Sequence, residues 1–346
     1  MHTTFKKLIF PIMALLIAIL LVISALYVLQ KSTESSGDWV DVDVKTNILS
    51  NHTHPIFNIT NEGAVRQKSN LVFNHKKTME GQELFSVEYK LDSYGRRITP
   101  SNQKQPPETH LIMLGCSYTF GHGLHANQTL PFYLQKNFKN AQAYNYGMQS
   151  YGTFHITRLI ETIDLKKEVS QPKGMMIYQF LNFHLVRSTG LNYWSFISPY
   201  TPVYKLEDGR LNYVSLKEEE SPLSTSLLKL FNKIPFLPSL WQVHQLVRDM
   251  TKDKLFYQTY AEAIVTIKDK YLESFPEGRF FMMIHPDEEI PTYLSALLRS
   301  KNIEIIDFNF SLSRLPKYFI HPDYEPHPSA LLNEKLAEEL YKKLQR

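Results

Sequence analysis

Ser117 stands where a serine hydroxyl can be put to chemical use. It falls in His110–Gly123, HLIMLGCSYTFGHG, where the apolar run Leu111 to Leu114 stops at Gly115. Such a run bounded by glycine reads as a buried strand. The serine therefore sits at a strand's carboxyl end, the edge of an open α/β sheet where ligands and catalytic groups collect. A serine is a weak nucleophile until a neighbouring base takes its proton. His327, in HPDYEPHPSALLNEKLAEEL ahead of the last helical segment, is the candidate base. Asp323 and Glu325 stand four and two residues before it. Either carboxylate can accept the imidazole Nδ1–H, fix the tautomer and stabilise the imidazolium. Two further positions follow strand ends: Gly147, where a glycine lets a backbone N–H approach a ligand closely, and Asn182 in YQFLNFH.

These groups can meet only if their strand ends share one edge, and the order of elements predicts that. Strand-like runs at 110–114, 142–146, 174–180, 279–284 and 303–307 alternate with helical segments that include 129–137, 153–169 and 329–344. The last segment puts Leu332, Leu336, Ala337, Leu340, Tyr341 and Leu344 on one face, with Ser329 as its N-cap. Alternation of this kind predicts an α/β fold with a mostly parallel five-stranded sheet and helices on both faces. Within the domain expected over 109–346, an insertion at about 184–276 interrupts the pattern. It contains a hairpin, YKLEDGRLNYV, helical segments near 222–233, 238–250 and 253–274, and the aromatics Tyr193, Trp194, Phe196 and Tyr200.

Ahead of this domain, Leu8 to Leu29 carries no charge over 22 residues. As a helix it spans about 33 Å, against a hydrocarbon core of roughly 30 Å. No small-x-small cleavage site precedes Gln30, so residues 1–30 read as a cytoplasmic stub and an uncleaved transmembrane anchor. Lys6 and Lys7 precede the span, and the positive-inside rule puts the N-terminus in the cytoplasm and the body in the periplasm or outside the cell. Residues 31–70 read as a tether. Residues 71–108 read as a small β subdomain, in which Phe85, Val87, Tyr89 and Leu91 alternate on one face.

Composition narrows the function classes. With 43% hydrophobic residues among 346, the chain has ample material for one sizeable core. Its net charge of +4 is spread over 38 basic and 34 acidic residues without a long single-sign block, which argues against nucleic acid as a partner. One cysteine, Cys116, excludes an internal disulfide framework and a multi-cysteine metal site, and no HExxH pattern points to a metal. At a strand end beside Ser117, that thiol is expected to be buried and inert.

Taken in chain order, over about 110–185 and 279–345, the short blocks resemble those of the SGNH, or GDSL-type, esterases and acyl hydrolases. The family's Gly-Asp-Ser-x-Thr-x-Gly reads here Gly115-Cys116-Ser117-Tyr118-Thr119-Phe120-Gly121, with cysteine in place of aspartate. Its second-block glycine maps to Gly147, and its Gly-x-Asn-Asp block maps to Phe180-Leu181-Asn182-Phe183, which keeps the asparagine. Its last block commonly has the acid three residues before the histidine, where Tyr324 stands. The resemblance implies a flavodoxin-like three-layer α/β/α sandwich, with Ser117 as nucleophile and His327 as base. Because the family usually employs aspartate, it favours Asp323 over Glu325 as the acid. It further implies an oxyanion hole made by the Ser117 N–H, the Gly147 N–H and the Asn182 side-chain amide. The expected activity is cofactor-free cleavage of ester or O-acyl bonds in an acylated small molecule, lipid or polysaccharide. Two other readings of the same resemblance are an O-acetyltransferase and a catalytically silent domain that binds cell-envelope polysaccharide.

Overall fold

The computed structural model of the protein describes residues 56–101, 105–190, 197–220, 253–308 and 315–345. The uncharged run 8–29, the tether before residue 56 and the helical segments expected at 222–233 and 238–250 lie outside the described residues. Among those described, no helix is long and apolar enough to cross a membrane.

Two antiparallel pairs come first: β1 (Phe57–Ile59) with β2 (Val65–Gln67), and β3 (Val72–Met79) with β4 (Gln82–Lys90). The first pair falls inside the stretch expected as tether. Its Phe57 and Val65 are buried in the main core, so that tether ends before residue 57. Along β4 the inward alternation of Phe85, Val87 and Tyr89 holds, with Phe73 opposite Tyr89.

The main sheet contains β5 (Thr109–Leu114), β6 (Ala141–Asn145) and β7 (Lys173–Phe180). After the insertion's hairpin, β8 (Pro202–Glu207) with β9 (Arg210–Leu216), it continues through β10 (Arg279–Ile284) and β11 (Glu304–Ile306). The spatial order is β6-β5-β7-β10-β11, and every pairing is parallel. This is the flavodoxin-like order, which leaves a crevice at the carboxyl ends of β5 and β7 where the winding reverses. A last hairpin, β12 (Phe319–His321) with β13 (Glu325–Pro328), rises beside that edge.

The apolar runs of β5, β7 and β10 reflect burial on both faces. The described helices include, in chain order, α1 (Ser117–Phe120), α2 (Leu130–Asn137), α3 (Thr153–Thr162), α4 (Phe183–Ser188), α5 (Lys254–Ser274), α6 (Thr292–Ser300) and α7 (Ala330–Leu344). Ile112, Leu114, Met176, Tyr178, Phe180, Met282 and Ile284 face one layer of helices, with α3 and α5; Leu111, Met113, Ile177, Phe281 and Met283 face the other, with α2 and α7. Ser329 caps α7 by accepting the Leu332 N–H. The helix expected over 153–169 is broken after Thr162, because Asp164 accepts the Lys166 and Lys167 N–H groups and starts a new turn.

The β3–β4 hairpin packs against Phe120 of α1, next to the candidate nucleophile. Beside it the buried Arg97 donates to the carbonyls of Phe120, Gly121 and Leu124 while its guanidinium lies 4.6 Å from the Tyr89 ring centre. One side chain thus satisfies three carbonyls of the turn that follows Ser117. Arg97→Met will remove the shortest donor to each of these carbonyls, of which Phe120 and Gly121 keep a weaker one, and is expected to lower the unfolding free energy by about 1–3 kcal/mol, measured by urea denaturation.

Candidate active site

Ser117 is the first residue of α1, a single turn entered through Gly115 and Cys116. Gly121 closes the turn at φ 84°, and its N–H donates to the Ser117 carbonyl at 2.9 Å. A Cβ on Gly115 would come within 2.1 Å of Thr119 Oγ1. That hydroxyl in turn donates to Gln179 Oε1 of β7 at 2.6 Å. The turn is therefore fastened to both strands that flank the crevice. Cys116 is a free, buried thiol within the core.

The β12–β13 hairpin delivers the histidine. His327 Nε2 lies 2.9 Å from Ser117 Oγ, and His327 Nδ1 bonds to Glu325 Oε1. With the Nδ1–H on the carboxylate, Nε2 presents its lone pair to the serine hydroxyl. Glu325 and His327 both lie on β13. Asp323, favoured by the family pattern, is exposed in the hairpin turn, and its N–H donates to His321 Nδ1 at 3.3 Å. The carboxylate on His327 is that of Glu325, two residues before it on β13, where the register on β12 shifts.

Glu325 is 3% exposed, so its charge depends on neighbouring groups. Lys77 Nζ donates to Oε2 at 2.7 Å and to the Tyr324 carbonyl at 2.6 Å. His122 Nε2 approaches Oε2 at 3.8 Å. Burial pushes the carboxyl pKa up, but the His327 hydrogen bond and charge, with His122 and Lys77, outweigh it and bring it down to about 2. The His122 ring lies 4.5 Å from that of His327, and burial foremost holds its pKa well below the usual histidine value. His122, Glu325 and His327 present potential ligand atoms within 4.8 Å of one another. A metal ion there would have to compete with the Lys77 ammonium for Glu325.

The expected oxyanion donors differ in their standing. The Ser117 N–H, at the start of a helical turn, has no acceptor within the helix. The Gly147 N–H is already donated to Asn145 Oδ1 at 2.9 Å, so it is not free to serve as expected. The glycine serves packing instead: a Cβ there would lie 2.3 Å from Phe120 N and 2.9 Å from the Cys116 carbonyl oxygen. Asn145, whose Nδ2 donates to the Thr119 carbonyl at 2.9 Å, is the residue that joins this loop to the serine turn. Asn182 follows β7, and its N–H donates to Glu288 Oε2 at 2.9 Å. Its Oδ1 is buried without a hydrogen-bond partner among the described residues. The residue borders a cavity of about 510 Å³ lined also by Phe183, Val186, Ile290 and Pro291.

Other polar groups near the rim have structural partners. His184 Nδ1 pairs with the Tyr178 hydroxyl at 2.8 Å, and Arg187 donates to the Tyr151 carbonyl at 3.2 Å. Tyr200 packs on Phe57, whereas Tyr193, Trp194 and Phe196 lie outside the described residues. Lys77 and His122 escaped the sequence reading. His122 lies within HLIMLGCSYTFGHG, and the signal that marks it is its place five residues after the serine.

No family model and no curated protein matches the sequence. Solved structures do. A protein assigned to the lipolytic G-D-S-L family, from Desulfitobacterium hafniense, matches with a TM-score of 0.37 and 13% identity, over 68% of this chain and 98% of that one. A family two carbohydrate esterase from Clostridium thermocellum, in complex with cellohexaose, matches at 0.39 and 9%, over 84% and 96%. An acetyl xylan esterase from Butyrivibrio proteoclasticus matches at 0.39 and 9%, over 81% and 72%. At these scores and identities, fold and chemistry alike rest on this chain's own topology and side chains.

The charge on Glu325 links stability to pH. Its folded pKa of about 2 lies below the unfolded value of about 4.3, so on acidification the unfolded chain takes up the proton first. The contribution, on the order of 3 kcal/mol, is fully present above about pH 5 and lost as pH falls towards 2. Unfolding free energy measured across that window will fall in the wild type, and Glu325→Gln will flatten that part of the slope.

Proposed function

We propose that the protein is a serine hydrolase cleaving ester or O-acyl bonds, held at a membrane by the uncharged segment 8–29 with its body on the periplasmic or extracellular side. The observation that carries the enzymatic reading is the continuous chain Ser117 Oγ, His327 Nε2, His327 Nδ1 and Glu325 Oε1. The location rests on the length of the uncharged run and on Lys6 and Lys7 before it.

In this reading Ser117 Oγ attacks the acyl carbonyl carbon as His327 Nε2 takes the hydroxyl proton. The resulting imidazolium lies against the ionised Glu325, which stabilises its charge without taking the proton. Negative charge on the carbonyl oxygen is met by the Ser117 N–H and the Asn182 amide. When the tetrahedral intermediate collapses, the bond to the leaving alkoxide breaks and His327 gives that oxygen its proton. A water then attacks the acyl-serine, losing its proton to the same nitrogen; collapse releases the acid and restores the serine hydroxyl. An acylated small molecule, lipid or polysaccharide supplies the bond that is cut.

The full chain in detergent micelles is expected to hydrolyse p-nitrophenyl acetate. Ser117→Ala and His327→Ala will each reduce kcat at least about 1,000-fold. Retention of wild-type turnover in Ser117→Ala contradicts the assignment. Glu325→Gln is expected to cost on the order of 10⁴ in kcat, as loss of a triad acid does, whereas Asp323→Asn will change it less than about twofold. Asn182→Ala will lower kcat by roughly 10²–10³.

A further inference from the structure

Lys77 belongs to the N-terminal hairpin, yet its ammonium lies inside the site of the α/β domain. It grips Glu325 Oε2 at 2.7 Å and the Tyr324 carbonyl at 2.6 Å, across 248 residues of sequence. Phe73, His75 and Lys77 alternate along one face of β3, while Lys76 on the other face pairs with Glu83. The register of β3 on β4 shifts between Lys77 and Thr78, with Leu84 of β4 left as the extra residue. A lysine in such a buried row is costly unless its charge is met. Here the charge is met by the second oxygen of the carboxylate whose first oxygen holds His327.

We propose that Lys77 is a positioning residue for the reaction assigned to Ser117, fixing the Glu325 carboxylate so that its other oxygen is presented to His327. The inference rests on the hydrolase reading. Without the ammonium, Oε2 loses its closest donor and the carboxyl plane is free to rotate away from the imidazole. Orientation losses of this size lower rates by roughly 10- to 100-fold.

The test measures ester hydrolysis by the full chain in wild type and in Lys77→Met, Lys77→Gln and Lys77→Arg, with Ser117→Ala as the blank. Lys77→Met is expected to lower kcat roughly 10- to 100-fold with KM within about twofold. Lys77→Arg will restore most of the rate. Lys77→Gln keeps a donor for the Tyr324 carbonyl and guards against loss of folding in the methionine variant; it will lower kcat with KM unchanged in the same way. Turnover by a Lys77→Gln variant equal to that of the wild type, even if it is less stable, overturns this inference alone. A wild type no faster than Ser117→Ala overturns the hydrolase reading, and the inference with it.

Discussion

A carboxylate kept out of water must find its charge and hydrogen-bond partners inside the protein, and Glu325 is where that requirement shapes this molecule. Its two oxygens are divided between partners from different parts of the chain: His327 on the same strand and Lys77 on the N-terminal hairpin. Breaking a buried pair by removing one member costs more than the pair itself contributes, because the other charge is left uncompensated. The hairpin and the α/β domain are thereby tied together at the point where the candidate base is oriented. What looks from the sequence like an accessory β subdomain supplies part of the site.

The nucleophile's side of the site depends on a different physical constraint, the close approach of backbones at a strand end. Gly115 and Gly147 leave no room for a Cβ, and Gly121 takes the left-handed conformation that ends the serine's turn. The turn's carbonyls are then satisfied by two buried side chains, Arg97 and Asn145. Sheet topology places this turn beside the crevice between β5 and β7, and the hairpin after β11 brings His327 to it. Positions fixed in this way on rigid elements suit a mechanism in which the geometry of proton transfer sets the rate.

Much of the sheet was legible because its central strands are apolar runs of strand length. The runs at 110–114, 174–180 and 279–284 match β5, β7 and β10 to within a residue at each end. Ser117 and His327 were legible because each sits at a junction between an element and a loop. The carboxylate that pairs with His327 was not, since the choice between Asp323 and Glu325 depends on how the hairpin before His327 folds. Asp323 falls in the turn and Glu325 on β13, where it reaches the imidazole. Gly147 was read as an oxyanion donor, yet Asn145 takes its N–H, a side-chain bond that spacing does not reveal. Lys77 could not be read at all, because nothing in the sequence of β3 says which distant charge its inward lysine meets.

The central claim is that Ser117, His327 and Glu325 act as one unit to make a nucleophile of the serine. It is tested most directly by treating the full chain with a fluorophosphonate probe and mapping the modified peptide by mass spectrometry. The account predicts a single adduct on Ser117 in the wild type and none under the same conditions in His327→Ala. An unmodified Ser117 at saturating probe, or equal labelling in the histidine variant, would contradict it.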